Sequence, residues 1–280
     1  MWLQLLSKKY AGQACRRFYF TVSDPISYIG VSTIIASGHH CPGAFLCRNM
    51  LNSILDLIFP KYCVGCQKEG SYLCFKCSDS IPQKDLICPE CKRLSFGGKT
   101  HLQCLTQYGL DGLWSFGAFE KILKTLIQKL KYKWITEQAD VLIDQIVRYL
   151  EKNYAVFLDE IRQDQGKGWI VVPVPLHWQR QNWRGFNQSA LIAKKLAAAL
   201  ALPYIEALKR TKNTASQTHF DAEKRQQNIQ NAFSPNIPIS QYPNILLIDD
   251  VWTTGSTMQE CTTVLKKNGA QKVWAITIAR

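Results

Sequence analysis

Residues 245–260 read ILLIDDVWTTGSTMQE. Four apolar residues lead directly into Asp249 and Asp250, and a short run of threonine, glycine and serine then opens a segment of helical character. Because open α/β sheets bind their ligands outside the carboxyl ends of the strands, this order predicts a binding site at the end of a buried strand. A strand points successive side chains to opposite faces, so the adjacent carboxylates cannot both be misplaced on one buried face.

The loop after the aspartates has the composition of a phosphate-binding turn. Gly255 allows a backbone conformation that other residues resist, and the following helix would direct its positive amino end at the loop, where successive N–H groups can converge on one anion. The two carboxylates suit a neighbouring group with vicinal hydroxyls and favour a divalent metal nearby. The stretch therefore predicts a site for a ribose 5-phosphate, with hydroxyl donors from Thr253, Thr254, Ser256 and Thr257.

Two other interpretations fit this stretch less well. A plain strand, turn and helix with a capping serine would account for TGST alone, but not for the apolar run, the paired aspartates and the hydroxyl-rich loop in this order. The chain contains no G-x-x-x-x-G-K-[ST] motif, which argues against ATP hydrolysis of the Walker type.

On both sides of the aspartates, apolar strands alternate with amphipathic helices, which predicts an α/β domain with a mostly parallel sheet flanked by helices. A polar stretch at residues 209–231 interrupts this alternation. The predicted strands lie at 111–119, 169–176, 244–250 and 272–279, and the predicted helices at 120–133, 136–154, 187–202 and 256–269.

Seven of the eleven cysteines fall between Cys63 and Cys104, six of them as Cys-x2-Cys pairs. Two intervening residues let one tight turn supply two ligands, and zinc takes four sulfur or nitrogen ligands in a tetrahedron, so the spacing predicts a double zinc ribbon. His101 and Cys104 repeat the same spacing, although a surface histidine remains an alternative to a ligand. Closed four-ligand sites indicate structural Zn2+, one or two ions, with ligand sets Cys63, Cys66, Cys74, Cys77 and Cys88, Cys91, His101, Cys104.

The composition limits the class of protein. A formal net charge of +13 over 280 residues indicates an anionic partner. No apolar run approaches the roughly 20 residues of a membrane-spanning helix, so we expect no membrane span. Disulfide scaffolds are typical of small secreted chains, and metal thiolates in a reducing cytosol fit this chain better, which predicts a cytoplasmic location.

Residues 1–49 differ from the rest, with five lysines and arginines, one acid and no sustained periodicity. They are interpreted either as a targeting segment or as an extension ahead of a true start at Met50, and the second interpretation is preferred because MLNSILDLIFPKYC forms a sensible beginning. We expect residues 1–49 to be an extension without a fixed structure, 50–107 to be the zinc module, and 108–280 to be the α/β domain.

With these residues in view, ILLIDDVWTTGST resembles the phosphoribosyl pyrophosphate (PRPP) motif of type I phosphoribosyltransferases. The segments LIQKLKYK (126–133), VVPVPLHWQRQNWRGFNQSALIAKKLA (171–197) and LKRTKNTASQTHFDAEKRQQNIQNAF (208–233), with the double zinc ribbon, resemble the ComF (competence protein F) family. The resemblance runs from about Met50 to the end. His101 stands where family members usually have cysteine.

The resemblance implies roles for individual residues. Asp249 and Asp250 would hold the ribose hydroxyls of PRPP, and the loop residues Thr253, Thr254, Gly255, Ser256 and Thr257 would wrap its 5-phosphate. Pyrophosphate would arrive with Mg2+, and residues 211–225 would form a loop over the site. The basic residues expected to face pyrophosphate are Arg180, Arg184, Arg225 and Lys131.

The resemblance leaves two functions open. One is phosphoribosyl transfer to an unidentified acceptor, without the glutaminase unit and N-terminal cysteine nucleophile of the glutamine-using enzymes. The other is a non-catalytic, PRPP-responsive factor in DNA uptake during natural transformation, which binds single-stranded DNA and works with a competence helicase. Cations lie beside Tyr132, Trp134, Trp178 and Trp183, a pattern that suits base stacking but is also found in ordinary cores.

Overall fold

The computed structural model describes residues 60–132, 136–163, 168–212 and 229–280, all within one compact unit. Its centre is a four-stranded sheet of β1 (Gly112–Gly117), β2 (Trp169–Pro173), β5 (Asn244–Val251) and β6 (Lys272–Ala279). The strand order is β1, β6, β5, β2, and every pair of neighbours is parallel. A separate antiparallel pair joins β3 (Leu208–Arg210) to β4 (Phe233–Pro235). The predicted mostly parallel sheet is confirmed.

Helices cover both faces of the sheet. The helices are α1 (Phe75–Asp79), α2 (Lys121–Tyr132), α3 (Thr136–Gln163), α4 (Trp178–Arg184), α5 (Gln188–Leu200) and α6 (Ser256–Lys267). On one face α5 packs on β2, β5 and α3, and on the other α6 packs on β4, β5 and β6.

The apolar residues of β5 pack into the hydrophobic clusters on both faces of the sheet. Ile245 and Leu247 join the cluster that contains Cys261 of α6, whereas Leu246 and Ile248 join the cluster that contains Leu196 of α5. A parallel strand covered on both sides needs continuous apolar sequence, which is why the run shows no polar alternation. The same period of two carries Asp249 and Asp250 to opposite faces at the carboxyl end of the strand.

Three features of the α/β region differ from the prediction. Helix α3 continues to Gln163 beyond a non-helical residue at Tyr154, because Leu158 and Ile161 return to the core. Helix α4 was not predicted, since its seven residues carry no apolar period and its limits are set by the His177 cap and the left-handed Gly185. The short strands β3 and β4 lie at the ends of the stretch predicted to be a polar connection.

Among the described residues, none of the helices combines the length and the apolar content needed to cross a bilayer.

Candidate functional site

The two aspartates lie in the last residues of β5, and their carboxylates are held in place. Asp249 Oδ1 accepts hydrogen bonds from Ser189 Oγ at 2.9 Å and from the backbone N–H of Asp250 at 2.8 Å. Gln188 Nε2 donates to Asp250 Oδ2 at 3.3 Å, and the Asp250 side chain is buried. Buried carboxylates without such donors would be costly, so these bonds stabilise the charged pair and fix its orientation.

Gln188 and Ser189 are functional candidates that the sequence analysis missed. They begin α5, whose cap Asn187 accepts from the N–H of Ser189 at 3.1 Å and donates to the carbonyl of Val174 at 3.1 Å. Val174 N in turn donates to Ile248 O at 2.9 Å, so the segment after β2 is tied to β5. The sequence Asn187-Gln188-Ser189 indicates a helix start. It does not indicate that these residues lie beside the aspartates, because that follows from the pairing of β2 with β5.

The loop after β5 turns tightly around Trp252. Gly255 has φ of +85°, and a Cβ on it would lie 2.3 Å from the indole of Trp252, which is buried. Only glycine meets both constraints, because other residues resist this φ and lack the space. Thr254 Oγ1 and Ser256 Oγ lie 2.8 Å apart, and Ser256 N donates to Thr254 Oγ1 at 3.4 Å.

The amino end of α6 opens onto this loop. Thr254 Oγ1 accepts from the first N–H group of the helix, that of Ser256, whereas the N-cap residue Gly255 has no side chain to cap the helix, and the described first turn contains no acidic residue. The first N–H groups of a helix need an external acceptor, and the helix dipole favours an anion there. The fold thus brings Thr253, Thr254, Gly255, Ser256 and Thr257 to the strand end that carries Asp249 and Asp250.

The predicted basic residues are less fully described. Arg180 and Arg184 lie one turn apart on α4, which follows β2. Lys131 lies near the end of α2. The side chains of these three residues, the whole of Arg225 and most of the predicted loop at 211–225 lie outside what the structure describes. Their role at pyrophosphate therefore stays a prediction.

Cys261 lies on α6 and is fully buried. Burial, followed by the nearby charge of Asp249, raises the pKa of this thiol well above its usual value. A thiol that stays protonated is a poor nucleophile, so Cys261 serves packing rather than covalent chemistry.

The cysteine module holds two four-ligand clusters with the predicted membership. In each cluster the four ligand atoms all lie within 4.8 Å of one another, and a set of three or four sulfurs fits zinc. The clusters are Cys63, Cys66, Cys74, Cys77 and Cys88, Cys91, His101, Cys104.

The geometry of His101 supports its place in the second cluster. Its Nδ1 lies 3.3 Å from Cys91 Sγ, while its Nε2 lies 3.0 Å from the carbonyl oxygen of Leu94. A carbonyl can only accept, so Nε2 carries the proton and the lone pair of Nδ1 faces the three sulfurs. Histidine ligands of metals commonly have this second hydrogen bond.

Each cluster contains one thiol that ionises readily. Burial alone would raise the pKa of Cys63, but hydrogen bonds from the backbone of Cys74, Cys66 and Gly65 lower it to about 6. Hydrogen bonds from the backbone and side chain of Arg93 lower the pKa of Cys91 to about 6.

Another thiol in each cluster retains its proton more strongly. Burial and then the neighbouring thiols raise the pKa of Cys77 to about 12 and that of Cys104 to about 11. Thiolate is the form that binds metal, so a divalent cation would take the place of the retained protons.

The segment that carries the second cluster contacts α6 through Glu90, which lies between Cys88 and Cys91. Gln259 Nε2 donates to Glu90 Oε2 at 3.3 Å. Thr263 Oγ1 of the same helix donates to Tyr108 O, after the last cluster residue, at 3.4 Å.

Comparison with known proteins agrees with this arrangement. The family model for the phosphoribosyl transferase domain matches residues 187–280. Competence protein F of Haemophilus influenzae is 31% identical over 226 residues, which cover 78% of this chain and 90% of that protein.

Two further relatives have comparable coverage. The DNA utilization protein YhgH of Escherichia coli K12 is 32% identical over 212 residues, covering 73% and 89% of the two chains. Competence protein ComFC of Streptococcus pneumoniae is 25% identical over 218 residues, covering 76% and 90%. The chain belongs to the competence protein F (ComF) family, and it combines a phosphoribosyltransferase domain with two cysteine-rich metal-binding clusters.

Proposed function

We propose that the carboxyl edge of the sheet binds PRPP together with Mg2+. The observation that carries this proposal is the arrangement at the end of β5, where two hydrogen-bonded aspartates directly precede the hydroxyl-rich amino end of α6. A diol beside a phosphate is the ligand that matches carboxylates beside the amino end of a helix.

Different residues are proposed to contact the ribose, the 5-phosphate and the pyrophosphate of PRPP. Asp249 and Asp250 accept hydrogen bonds from the ribose hydroxyls, and the N–H groups and hydroxyls of residues 253–257 donate to the 5-phosphate. The same carboxylate oxygens are hard ligands suited to Mg2+, which supplies charge neutralisation to pyrophosphate when bound. Arg180, Arg184, Arg225 and Lys131 are proposed to face the pyrophosphate.

The reaction that suits this arrangement is phosphoribosyl transfer. The bond from the anomeric carbon to pyrophosphate breaks, pyrophosphate leaves with the bonding electrons, and the acceptor atom forms a new bond to that carbon and loses its proton. Fixed carboxylates stabilise the positive charge that develops on the ribose. A covalent enzyme intermediate is not required, in keeping with the buried, protonated Cys261.

The relatives suggest the cellular setting. Two of them are named competence proteins and one a DNA utilization protein. We place the present chain in DNA uptake or DNA use in the cytoplasm, where a reducing environment keeps the cysteine clusters available for zinc.

Calorimetric titration with PRPP and Mg2+ tests the binding site. We expect binding that disappears when Asp249 and Asp250 are both changed to alanine and persists in Asp144→Ala, which removes an exposed acid from α3. Absence of binding to the unaltered protein, or equal binding by the double variant, would refute the proposal. Release of pyrophosphate in the presence of a panel of bases and amines then tests transfer.

A second candidate is a PRPP-responsive module for single-stranded DNA that works with a competence helicase. The observation that favours it is α4, where Trp178 and Trp183 are exposed at the two ends of a helix that also carries Arg180 and Arg184. Exposed aromatic rings beside arginines suit base stacking and phosphate contact.

Binding of a labelled oligonucleotide tests this candidate. We expect affinity that falls steeply with salt, and falls again by about tenfold when Trp178 and Trp183 become alanine. Binding that neither salt nor these substitutions change would rule out this role for α4.

A further inference from the structure

A concave surface lies at the opposite edge of the sheet from the aspartates. This groove, of about 1240 Å³, runs between the second metal cluster and the amino ends of the strands. Trp169 and Lys272 begin β2 and β6, and both line it. The largely buried rings of Trp169, Trp274 and Tyr154 contribute to its wall. We call this surface the ribbon groove.

The side of the ribbon groove formed by the metal module is apolar and exposed. Phe96 is 97% exposed, Leu102 is 90% exposed and Leu94 is 70% exposed, and all three line the groove. Because these side chains are exposed, they do not contribute to the core of the metal module. Clustered apolar side chains beside a concave surface are typical of a protein interface.

The charged residues of the groove are mostly basic. Lys99, Lys152 and Lys272 line it and are exposed. Of the two acids among its described lining residues, Asp111 is compensated, because its Oδ2 pairs with Lys266 Nζ at 2.8 Å and accepts from Val273 N at 2.7 Å. The other acid is Asp85, so basic residues outnumber acidic residues in the described lining. The groove therefore favours an apolar ligand that also carries negative charge.

We propose that the ribbon groove docks an acidic, amphipathic peptide segment of a protein partner. Apolar side chains of that segment lie against Phe96, Leu94 and Leu102 over the aromatic wall, and its carboxylates face Lys99 and Lys152. The site is separate from the carboxyl edge, so a partner can be held there while the aspartates remain accessible.

Other occupants match these side chains less well. Nucleic acid bases stack on aromatic rings, whereas two of the three exposed apolar residues are leucines. A second copy of this chain carries a net charge of +13 and would meet the lysines with like charge. Residues 1–49 of the same chain have five lysines and arginines against one acid, so they too are repelled.

Peptide display on the zinc-loaded full chain tests the groove directly. A random peptide library is selected on the unaltered protein and counter-selected on Phe96→Ser/Leu102→Ser. We expect enriched peptides that combine spaced apolar residues with Asp and Glu and contain few Lys or Arg.

Synthesised copies of the enriched peptides then serve as defined probes in fluorescence anisotropy. We expect affinity to fall by about tenfold or more in the double serine variant and in Lys99→Glu/Lys152→Glu. The matched controls are Phe75→Ser, which removes a phenylalanine that is 79% exposed outside the groove, and Lys124→Glu on α2. Both controls should change affinity less than about twofold.

Three outcomes would overturn the proposal. The first is a selection that yields only basic peptides, or none that distinguish the double serine variant, although zinc content shows that this variant is folded. The second is loss of oligonucleotide binding, rather than peptide binding, in the groove variants. The third is a photo-crosslink from position 96 to residues 1–59 of the same chain or to a second copy.

Discussion

Ser189 Oγ donates a hydrogen bond of 2.9 Å to Asp249 Oδ1, although 60 positions separate the two residues. The bond joins the first turn of α5 to the end of β5, and Ser189 is buried. Because the same Oδ1 also accepts from Asp250 N, hydrogen bonds within the chain fix the direction of the carboxylate. A site whose side chains are already oriented loses less conformational entropy when a ligand binds.

We expect Ser189→Ala to weaken PRPP binding by about tenfold, since a hydrogen bond to a charged group contributes about 1.5 kcal/mol. The Asp249 carboxylate would lose one of the donors that orient it while keeping its charge. Titration calorimetry with PRPP and Mg2+ measures the change.

Ser78→Ala is the control for Ser189→Ala. Ser78 is also buried and donates to Gln145 Oε1 at 2.5 Å, and it has no hydrogen bond to either aspartate among those described. Both variants should lose similar stability in urea unfolding, but only Ser189→Ala should lose affinity. Equal affinities in the two variants would contradict a positioning role for Ser189.

Gly255→Ala tests the tight turn beneath the proposed phosphate site. Its Cβ would lie 2.3 Å from the Trp252 ring at a φ of +85°, so either the ring or the loop must move. We expect loss of detectable PRPP binding and a fall of about 2 kcal/mol or more in the free energy of unfolding. Calorimetry and urea unfolding measure the two effects.

Gly97→Ala separates backbone strain from the clash. Gly97 has φ of +64°, and no atom of the described residues lies within 4 Å of the place that an alanine methyl group would take there. In this variant the free energy of unfolding should fall by about 1 kcal/mol, and PRPP affinity should be unchanged. If Gly255→Ala behaved in the same way, contact with Trp252 would not be the reason for the glycine.

The strand, loop and helix around the aspartates follow from local signals. Apolar residues from Ile245 to Ile248, a glycine in the turn and an amphipathic segment after it each specify conformation over a few residues. The sequence therefore predicts β5 and α6 almost to their ends. Strand β5 extends one residue further, to Val251, because Val251 pairs with Ala279 of β6, and no local pattern encodes that partner.

The supporting contacts of the site depend on distant residues. Gln188 and Ser189 reach the aspartates only because β2 adjoins β5, and Glu90 reaches Gln259 across 169 positions. The ribbon groove is likewise formed by residues of the metal module, α3, β2 and β6. Single-sequence patterns identify the ligands of each cluster by spacing but contain no information on which surface each cluster faces.

His101 provides a test of the second metal cluster. We expect two zinc ions per chain in the unaltered protein and one in His101→Ala, because three sulfurs alone leave the tetrahedron incomplete. His101→Cys should keep both ions, since cysteine supplies a ligand of the same charge class as its neighbours. Metal analysis after gel filtration measures the content.

Substitution of a different histidine is the control for His101. His177 is buried and caps α4 through its Nδ1, and it belongs to neither cluster. His177→Ala should retain two zinc ions. A His101→Ala protein that also retains two would show that the histidine is not a ligand.

The ion pair between Asp111 and Lys266 offers a test of how the start of β1 is fixed to the last turn of α6. Lys266 Nζ lies 2.8 Å from Asp111 Oδ2, and the lysine side chain is only 7% exposed. Asp111→Ala would leave this cation buried without its carboxylate and would remove the acceptor of Val273 N. We expect the free energy of unfolding to fall by about 3 kcal/mol, because one partner of a buried pair is lost.

Lys266→Met should lower the free energy of unfolding less than Asp111→Ala does. Methionine fills much of the same space, and the remaining aspartate still accepts from Val273 N. In the double variant the total loss should be smaller than the sum of the two single losses, because the pair can be broken only once. Urea unfolding of the unaltered protein, the two single variants and the double variant completes this double-mutant cycle. Strictly additive losses would mean that the pair contributes no net coupling between the start of β1 and the last turn of α6.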